Sequence, residues 1–327
     1  MSKVVFRTKK GVSYQADTLN LLKRKIFREK YLGKIDLILT SPPFSLARKK
    51  SYGNENGEEY IEWLTSFAKP LSEFLSEKGS IAIELGNSFE KGDPIFSTIP
   101  IEALLSFKKE ANLYLCQEFI CHNPARLPSP AQWVTVNRFR LKDSYTRIWW
   151  LSKTPYPKSD NSQVLRKYSS RMKQHLKNNK VNTGTRPSGH VVTESFLKNN
   201  RGSISPNVLE LGQGKYLHEI EEGLFSIANA NNHLKYNNFC RDNGLEPHPA
   251  RMQDDLVDFL IRFLTDENDL VFDPFGGSNT TGYVAEGLNR NWISSELNIE
   301  YIKGSLVKFH HEIEAKLKVE KMARNGI

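Results

Sequence analysis

Two short segments of the chain carry residue types that suit chemistry on an amine. The first is Ser41-Pro42-Pro43-Phe44. Both prolines fix φ, so the segment is rigid. It offers the Ser41 hydroxyl, the Pro42 carbonyl and the flat apolar face of Phe44, the parts needed to hold an exocyclic amine of cytosine or adenine. Such an amine is a poor nucleophile because its lone pair is conjugated with the ring. Acceptors for both of its N–H groups draw the nitrogen toward tetrahedral geometry and free the lone pair. Phe44 can stack on a base that has first left its duplex. Glu84, at the end of the neighbouring strand, can position Ser41 or take the departing proton.

The second segment runs from Val271 to Gly282 and reads as a strand, a turn and a helix start. Gly276 and Gly277 allow a tight turn and a close approach of ligand to backbone. Ser278, Asn279 and Thr280 can cap the next helix, whose N-terminal amides face the same crevice. About twenty residues beyond Gly276 stands Glu296, where an acid takes the ribose hydroxyls of an adenosine in nucleotide-binding α/β folds. The pattern is not G-x-G-x-x-G, and Asp273 before the turn would sit poorly beside a pyrophosphate. It suits a ligand with a positive or zwitterionic end, such as S-adenosylmethionine.

These turns need strands to present them. Ile35–Leu39 is a short apolar run that reads as a buried strand, ended by the two prolines. An amphipathic segment covers Leu19–Tyr31, and Glu58–Leu75 has helical spacing. Lys78-Gly79 reads as a turn and Ser80–Leu85 as a second buried strand. Further strands are expected near Leu113–Phe119, Thr146–Leu151, Leu270–Phe272 and Trp292–Ser295. Helices are expected at Asp254–Leu264, Thr280–Gly287 and Tyr301–Lys318. Asn-rich stretches at 178–182 and 229–238 read as loops. Strands alternating with helices predict an α/β fold, a doubly wound and mostly parallel sheet.

The chain has 327 residues, with 46 Lys plus Arg against 37 Asp plus Glu, a net charge of +9. Hydrophobic residues make up 39%, enough for a sizeable core, which excludes a fully disordered chain. From Lys153 to Arg201 there are eleven basic residues against Asp160 and Glu194, interleaved with Asn, Ser, Thr and Gly. That mixture suits phosphate and base-edge contacts, so this stretch is expected to meet nucleic acid. Cys116, Cys121 and Cys240 are too few and too irregular for a disulfide framework or a zinc site. No apolar run is long enough to span a membrane and no secretory core opens the chain. A soluble, cytoplasmic protein is expected.

Taken together, Asp36–Phe44 and then Asp273–Thr281 resemble the motifs of the beta-class DNA amino-methyltransferases. More narrowly, they resemble the PvuII-type N4-cytosine enzymes of bacterial restriction–modification systems. Further matches are Lys49–Asn54, Leu127–Pro130, Trp149-Trp150, Thr185–His190 and His248–Arg251. The resemblance implies a methyltransferase fold, with 1–153 as its catalytic half, 154–247 as an inserted target-recognition region and 248–327 as its cofactor half. It implies that Ser41, Pro42, Pro43 and Phe44 handle the target amine. Asp17, Phe275 to Thr280 and Glu296 would hold S-adenosylmethionine, and His248 to Arg251 would close over its methionine end. Glu84 stands where relatives often carry Asp, Ala16 where they usually have Gly, and Asn279 where many have Gly.

The expected reaction is methyl transfer to the N4 amine of a flipped cytosine in double-stranded DNA, with no metal and no covalent enzyme intermediate. A C5 enzyme would need a cysteine nucleophile, and none lies in the Pro-Pro motif. N6-adenine methylation is the nearest alternative, since that family usually has Asp or Asn where this chain has Ser41. An RNA or protein methyltransferase would not need the basic insert, and a catalytically silent DNA-binding protein would not need an intact Ser41 motif. Arg166, Arg171, Asn182, Arg186 and His190 are the candidate groove contacts. Resemblance alone suggests a companion restriction endonuclease and a bacterial, archaeal or phage origin; the oligomeric state is not legible.

Overall fold

The computed structural model describes residues 2–45, 57–210 and 228–309, with side chains omitted for 228–233. The Lys49–Asn54 motif and the chain beyond 309 lie outside the described residues.

The strands in chain order are β1 (Lys3–Arg7), β2 (Gly11–Gln15), β3 (Ile35–Thr40), β4 (Leu75–Gly86), β5 (Tyr114–His122), β6 (Tyr145–Ser152), β7 (Gly184–Thr185), β8 (Val191–Val192), β9 (Val208–Glu210), β10 (Leu270–Asp273) and β11 (Asn291–Glu296). Nine of them form one sheet in the order β1-β2-β11-β10-β3-β4-β6-β5-β9, while β7 and β8 make a separate hairpin. The run from β2 to β4 is parallel, and β6 pairs antiparallel with both β4 and β5. A doubly wound, mostly parallel sheet is what the alternating pattern predicts.

The strands read as unbroken apolar runs because both faces are covered. Leu37 and Leu39 of β3, Ala82 of β4 and Val271 of β10 pack in one layer with the Asp254–Leu264 helix. Ile38, Ile81, Ile83 and Phe272 point the other way, into a layer with helices at Thr18–Lys23, Lys25–Tyr31, Gly57–Thr65, Ala68–Phe74 and Ile99–Glu110. The central neighbours matter most for the site. β10 lies parallel to β3, with Val271 opposite Leu37 and Phe272 opposite Ile38. The turns that follow these two strands therefore emerge at one edge of the sheet, which is where open α/β sheets bind ligands.

Several elements differ from expectation. The helical spacing over 58–75 resolves into two helices, Gly57–Thr65 and Ala68–Phe74. Pro70 lacks an N–H and clashes with a preceding turn, so it is tolerated only in the first turn of a new helix. Lys78-Gly79 is not a free turn; it lies inside β4, where the register jumps from Ile35 opposite Leu75 to Leu37 opposite Ser80. A Cβ on Gly79 would stand 2.7 Å from the Ile35 carbonyl. The Asn-rich 229–238 stretch is helical, within Ala228–Asp242. Tyr236 and Cys240, one turn apart, are fully buried against Gly304, and this tertiary packing overrides weak propensity. Asn178 ends a helix, Ser170–Asn178, that polar composition concealed, and Asn179 stops it in a left-handed conformation at φ 47°. The middle of the chain also adds β9 to the sheet beside β5. No helix among the described residues is long and apolar enough to cross a membrane.

Gly11 of β2 sits against the buried Trp292 of β11, whose indole N–H donates to Glu286 at 2.6 Å. A Cβ at position 11 would fall 2.0 Å from the ring. Gly11→Ala is expected to destabilise the fold by about 1–3 kcal/mol through overpacking, read as a lower denaturant midpoint with an unchanged slope. An unaltered midpoint would show that the strands part freely there.

Candidate active site

A cavity of about 580 Å³ opens where β3 and β10 end. At one end it is lined by Ser41, Pro42, Pro43, Phe44 and Glu84. Asp17, Phe275, Glu296 and His248 line the rest. Residues from opposite ends of the chain thus share one chamber.

Phe44 is placed by what is missing opposite it. Its ring rests on Gly86 at the end of β4, where an added Cβ would stand 2.7 Å away. Glu84, two residues earlier on β4, accepts a hydrogen bond from Thr146 Oγ1 at 2.8 Å and another from the Ser41 hydroxyl. Burial pushes the Glu84 carboxyl above its ordinary pKa, opposed by those two hydrogen bonds and by the charge of Arg126. The carboxyl is enclosed by protein yet still touches the cavity, so its proton affinity is raised where a substrate would reach it. Ser41 and Glu84 are therefore directly coupled, with Thr146 as a third member.

At the other end, Glu296 is half-buried at the tip of β11. Its Oε2 accepts the Gly277 N–H at 2.9 Å and its Oε1 accepts the Asn298 N–H at 2.8 Å. Each oxygen keeps a further lone pair for a ligand hydroxyl. Burial raises the pKa of Glu296, and the backbone donors counter it. Phe275 packs against Phe67 and Trp63, with ring centroids 5.0 and 5.5 Å apart, forming an apolar wall. The Ala16-Asp17 bend is tied to β11 by the Ala16 N–H on the Glu296 carbonyl at 2.9 Å. Asp17 itself caps a helix, accepting the Asn20 N–H at 2.8 Å. His248 lies over Gly277, whose missing Cβ would meet its Nε2 at 2.9 Å, and its ring meets Tyr301 edge-on at 4.7 Å.

Other residues of the Gly-rich segment support the cavity without lining it. Asp273, 2% exposed, accepts from Thr40 Oγ1 at 2.8 Å, Thr281 Oγ1 at 2.7 Å and the Phe275 N–H at 3.1 Å. Burial pushes its carboxyl up to about 6. Gly276 donates its N–H to the Ser295 carbonyl. Asn279 has the left-handed conformation, φ 55°, which an amide tolerates better than a branched side chain. It occupies the N-cap position without a side-chain capping bond. Its amide packs instead toward Gly282, where a Cβ would meet Oδ1 at 2.4 Å. Ser278 and Thr280 take hydrogen bonds from the buried Lys308 ammonium, at 3.3 and 2.8 Å, in place of the expected capping role. Burial pulls Lys308 down to about 8.

Several lining residues had no signal in the sequence. Trp63, Asn123, Arg126, Tyr145 and Thr146 reach the cavity only through tertiary packing. Thr146 is brought to Glu84 by the β4–β6 register, which sets it opposite Gly86. The basic candidates lie elsewhere. Arg171, Asn182, Arg186 and His190 are exposed, and Arg186 and His190 join in the hairpin turn at 2.7 Å, N to O. Arg166 is half-buried, its backbone paired with Ser203. None of the five lines the cavity.

Residues 35–308 match the family model described as DNA methylase, N6_N4_Mtase. The chain is 41% identical over 309 residues to the Type II methyltransferase M.PvuII of Proteus hauseri, covering 94% of this chain and 86% of that one. The solved structure of PvuII DNA methyltransferase (cytosine-N4-specific) superposes with a TM-score of 0.68 at 34% identity, over 94% and 89% of the two chains. A DNA modification methylase of Thermus thermophilus, so named on probation and complexed with S-adenosyl-L-methionine, shares the fold at a TM-score of 0.52 and 16% identity, over 91% of this chain and 93% of that one.

Because the Asp273 carboxyl binds its proton more tightly in the folded than in the unfolded chain, the fold holds more protons between about pH 4 and 6. Stability attributable to Asp273 therefore falls as pH rises through that window, by on the order of 2 kcal/mol. Asp273→Asn should remove this slope from the difference between the two denaturation–pH curves. Parallel curves from about pH 4 to 7 would mean that the carboxyl titrates normally.

Proposed function

Since the chain belongs to the N6_N4_Mtase family of DNA methylases, we propose that it methylates the exocyclic N4 amine of a cytosine flipped from double-stranded DNA, with S-adenosylmethionine as donor. The observation that carries this reading is the single cavity joining the Ser41–Phe44 turn to Phe275 and Glu296. The match to a cytosine-N4-specific enzyme over most of the chain supports the choice of base.

The residues present fit that donor. Glu296 offers acceptor oxygens for ribose hydroxyls, Phe275 and Trp63 an apolar wall for a flat ring, and Asp17 a further acid on the same side. When bound, S-adenosylmethionine supplies a methyl group already activated on a sulfonium. On the substrate side, Ser41 Oγ and the Pro42 carbonyl accept the two amine N–H bonds, and Phe44 stacks on the ring. Catalysis is then positioning plus tuning of the amine. Glu84, hydrogen-bonded to Ser41 and raised in pKa, is placed to hold the Ser41 hydroxyl and to accept the proton the amine releases.

In this reading, 1–153 and 248–327 are the catalytic and cofactor halves, and 154–247 is the target-recognition region. Exposed Arg171, Asn182, Arg186 and His190 are its candidate contacts to DNA, with half-buried Arg166 at its root. By analogy with the Type II relative, the protein would act in a bacterial cytoplasm beside a restriction endonuclease of the same specificity.

The test is incubation with unmethylated genomic DNA and S-adenosylmethionine, followed by nucleoside mass spectrometry and mapping of the modified sites. N4-methylcytosine is expected. N6-methyladenine would overturn the base assignment and keep the mechanism; DNA binding without any methylated nucleoside would favour a silent DNA-binding protein. Ser41→Ala should lower turnover by on the order of 100-fold while S-adenosylmethionine binding stays normal. Glu296→Ala should weaken that binding by roughly tenfold or more and leave the choice of base unchanged. Unimpaired turnover or affinity would remove the respective residue from its role.

A further inference from the structure

Residues 123–144 link β5 to β6 and are rooted on the cavity: Asn123, Arg126 and Tyr145 line it. The root is closed by the Asn123 N–H on the Ser144 carbonyl at 2.8 Å, and by an Arg126–Asp143 ion pair at 3.2 Å that Asn87 joins through its amide at 2.7 Å. Asp143 is the only acid in the segment, and Arg138, Arg140 and Lys142 stand near its far end.

Leu141 is the most exposed of the large hydrophobic residues among those described, at 93%. Its neighbours are tied down on either side. The Arg140 guanidinium donates to the Pro94 carbonyl at 3.2 and 3.3 Å, and the Lys142 ammonium to the carbonyls of Pro124 at 2.8 Å and Arg126 at 3.3 Å. Val136 and Leu127 are also largely exposed, at 66% and 80%. Single exposed aliphatics are ordinary on protein surfaces. A leucine held outward between two anchored cations, on a basic segment at the mouth of the catalytic cavity, is a different arrangement. Its charge complements a phosphate backbone, and its apolar tip complements stacked bases.

We propose that this segment enters duplex DNA at the target pair, with Leu141 as the wedge that fills the space left by the flipped base. Enzymes that flip a base must offset the unstacking, and apolar side chains inserted between base steps are a general means of doing so. The exposed Arg138 and the backbone-tethered Arg140 and Lys142 hold the flanking phosphates. The inference rests on the methyltransferase reading above, and places a second DNA contact outside the 154–247 region.

The test compares methyl transfer by the full chain on two duplexes, each long enough to flank a mapped site on both sides. In one the target base is normally paired; in the other it lies opposite an abasic position. Leu141→Ala should slow transfer on the paired duplex by about tenfold or more, and should come within about twofold of wild type on the abasic duplex, where little unpairing remains to be offset. Leu141→Met should behave as wild type on both. S-adenosylmethionine affinity and thermal midpoint should not move, since the side chain touches neither core nor cavity. Equal loss on both duplexes, or no loss on the paired one, would overturn the wedge. A wild-type protein that transfers methyl to neither duplex would overturn the methyltransferase reading itself.

Discussion

A buried carboxylate sets the relative height of the two halves of the site. Asp273 ends β10 and accepts a hydrogen bond from the hydroxyl of Thr40, at the end of β3. It accepts another from Thr281, in the first turn of the following helix. A carboxylate removed from water is costly unless its lone pairs are engaged, so three donors converging on one group resist any sliding of these strands. The Ser41–Phe44 turn begins immediately beyond Thr40, and the Phe275–Gly277 turn almost immediately beyond Asp273. Fixing Thr40 against Asp273 therefore fixes the substrate-handling turn against the cofactor turn, although the two residues stand 233 positions apart.

Around that clamp, the active residues are seated on places where side chains are missing. Phe44 lies on Gly86 and the His248 ring on Gly277. Gly276 keeps its backbone close to β11, where a Cβ would stand 3.0 Å from that of Ser294. These contacts make the ring positions a matter of steric fit, which packed interiors enforce strictly. The rigid prolines at 42 and 43 complete the arrangement by leaving little freedom in the turn itself.

Charge is sorted by depth. Glu84 and Glu296 are enclosed by protein beside the cavity, and burial raises the pKa of each. Together with Asp17 they give the interior the sign that suits a cationic donor. The exterior carries the opposite sign, concentrated in the exposed residues of 166–201 and in the 138–142 tip. A polyanion is thus drawn to the surface while the reacting amine meets acceptors inside, and the association should weaken with salt.

Local chemistry in the sequence determined the strands that carry the site, the rigid Ser41 turn, the Gly-rich turn and the acid at 296. Apolar runs, prolines and glycines act within a few residues, so their consequences could be read without knowing what lay across the sheet. Register and long-range packing were not legible. Only the β4–β6 pairing brings Thr146 to Glu84, only the convergence of β5 and β6 puts Arg126 on the cavity, and only contact with Gly304 makes an Asn-rich stretch helical. The same holds for Asp273, which the sequence offered as a cofactor neighbour and the fold uses as a clamp. The reason is physical: a side chain's type is local, but its partners depend on which strands lie side by side, and that is decided by burial over the whole chain.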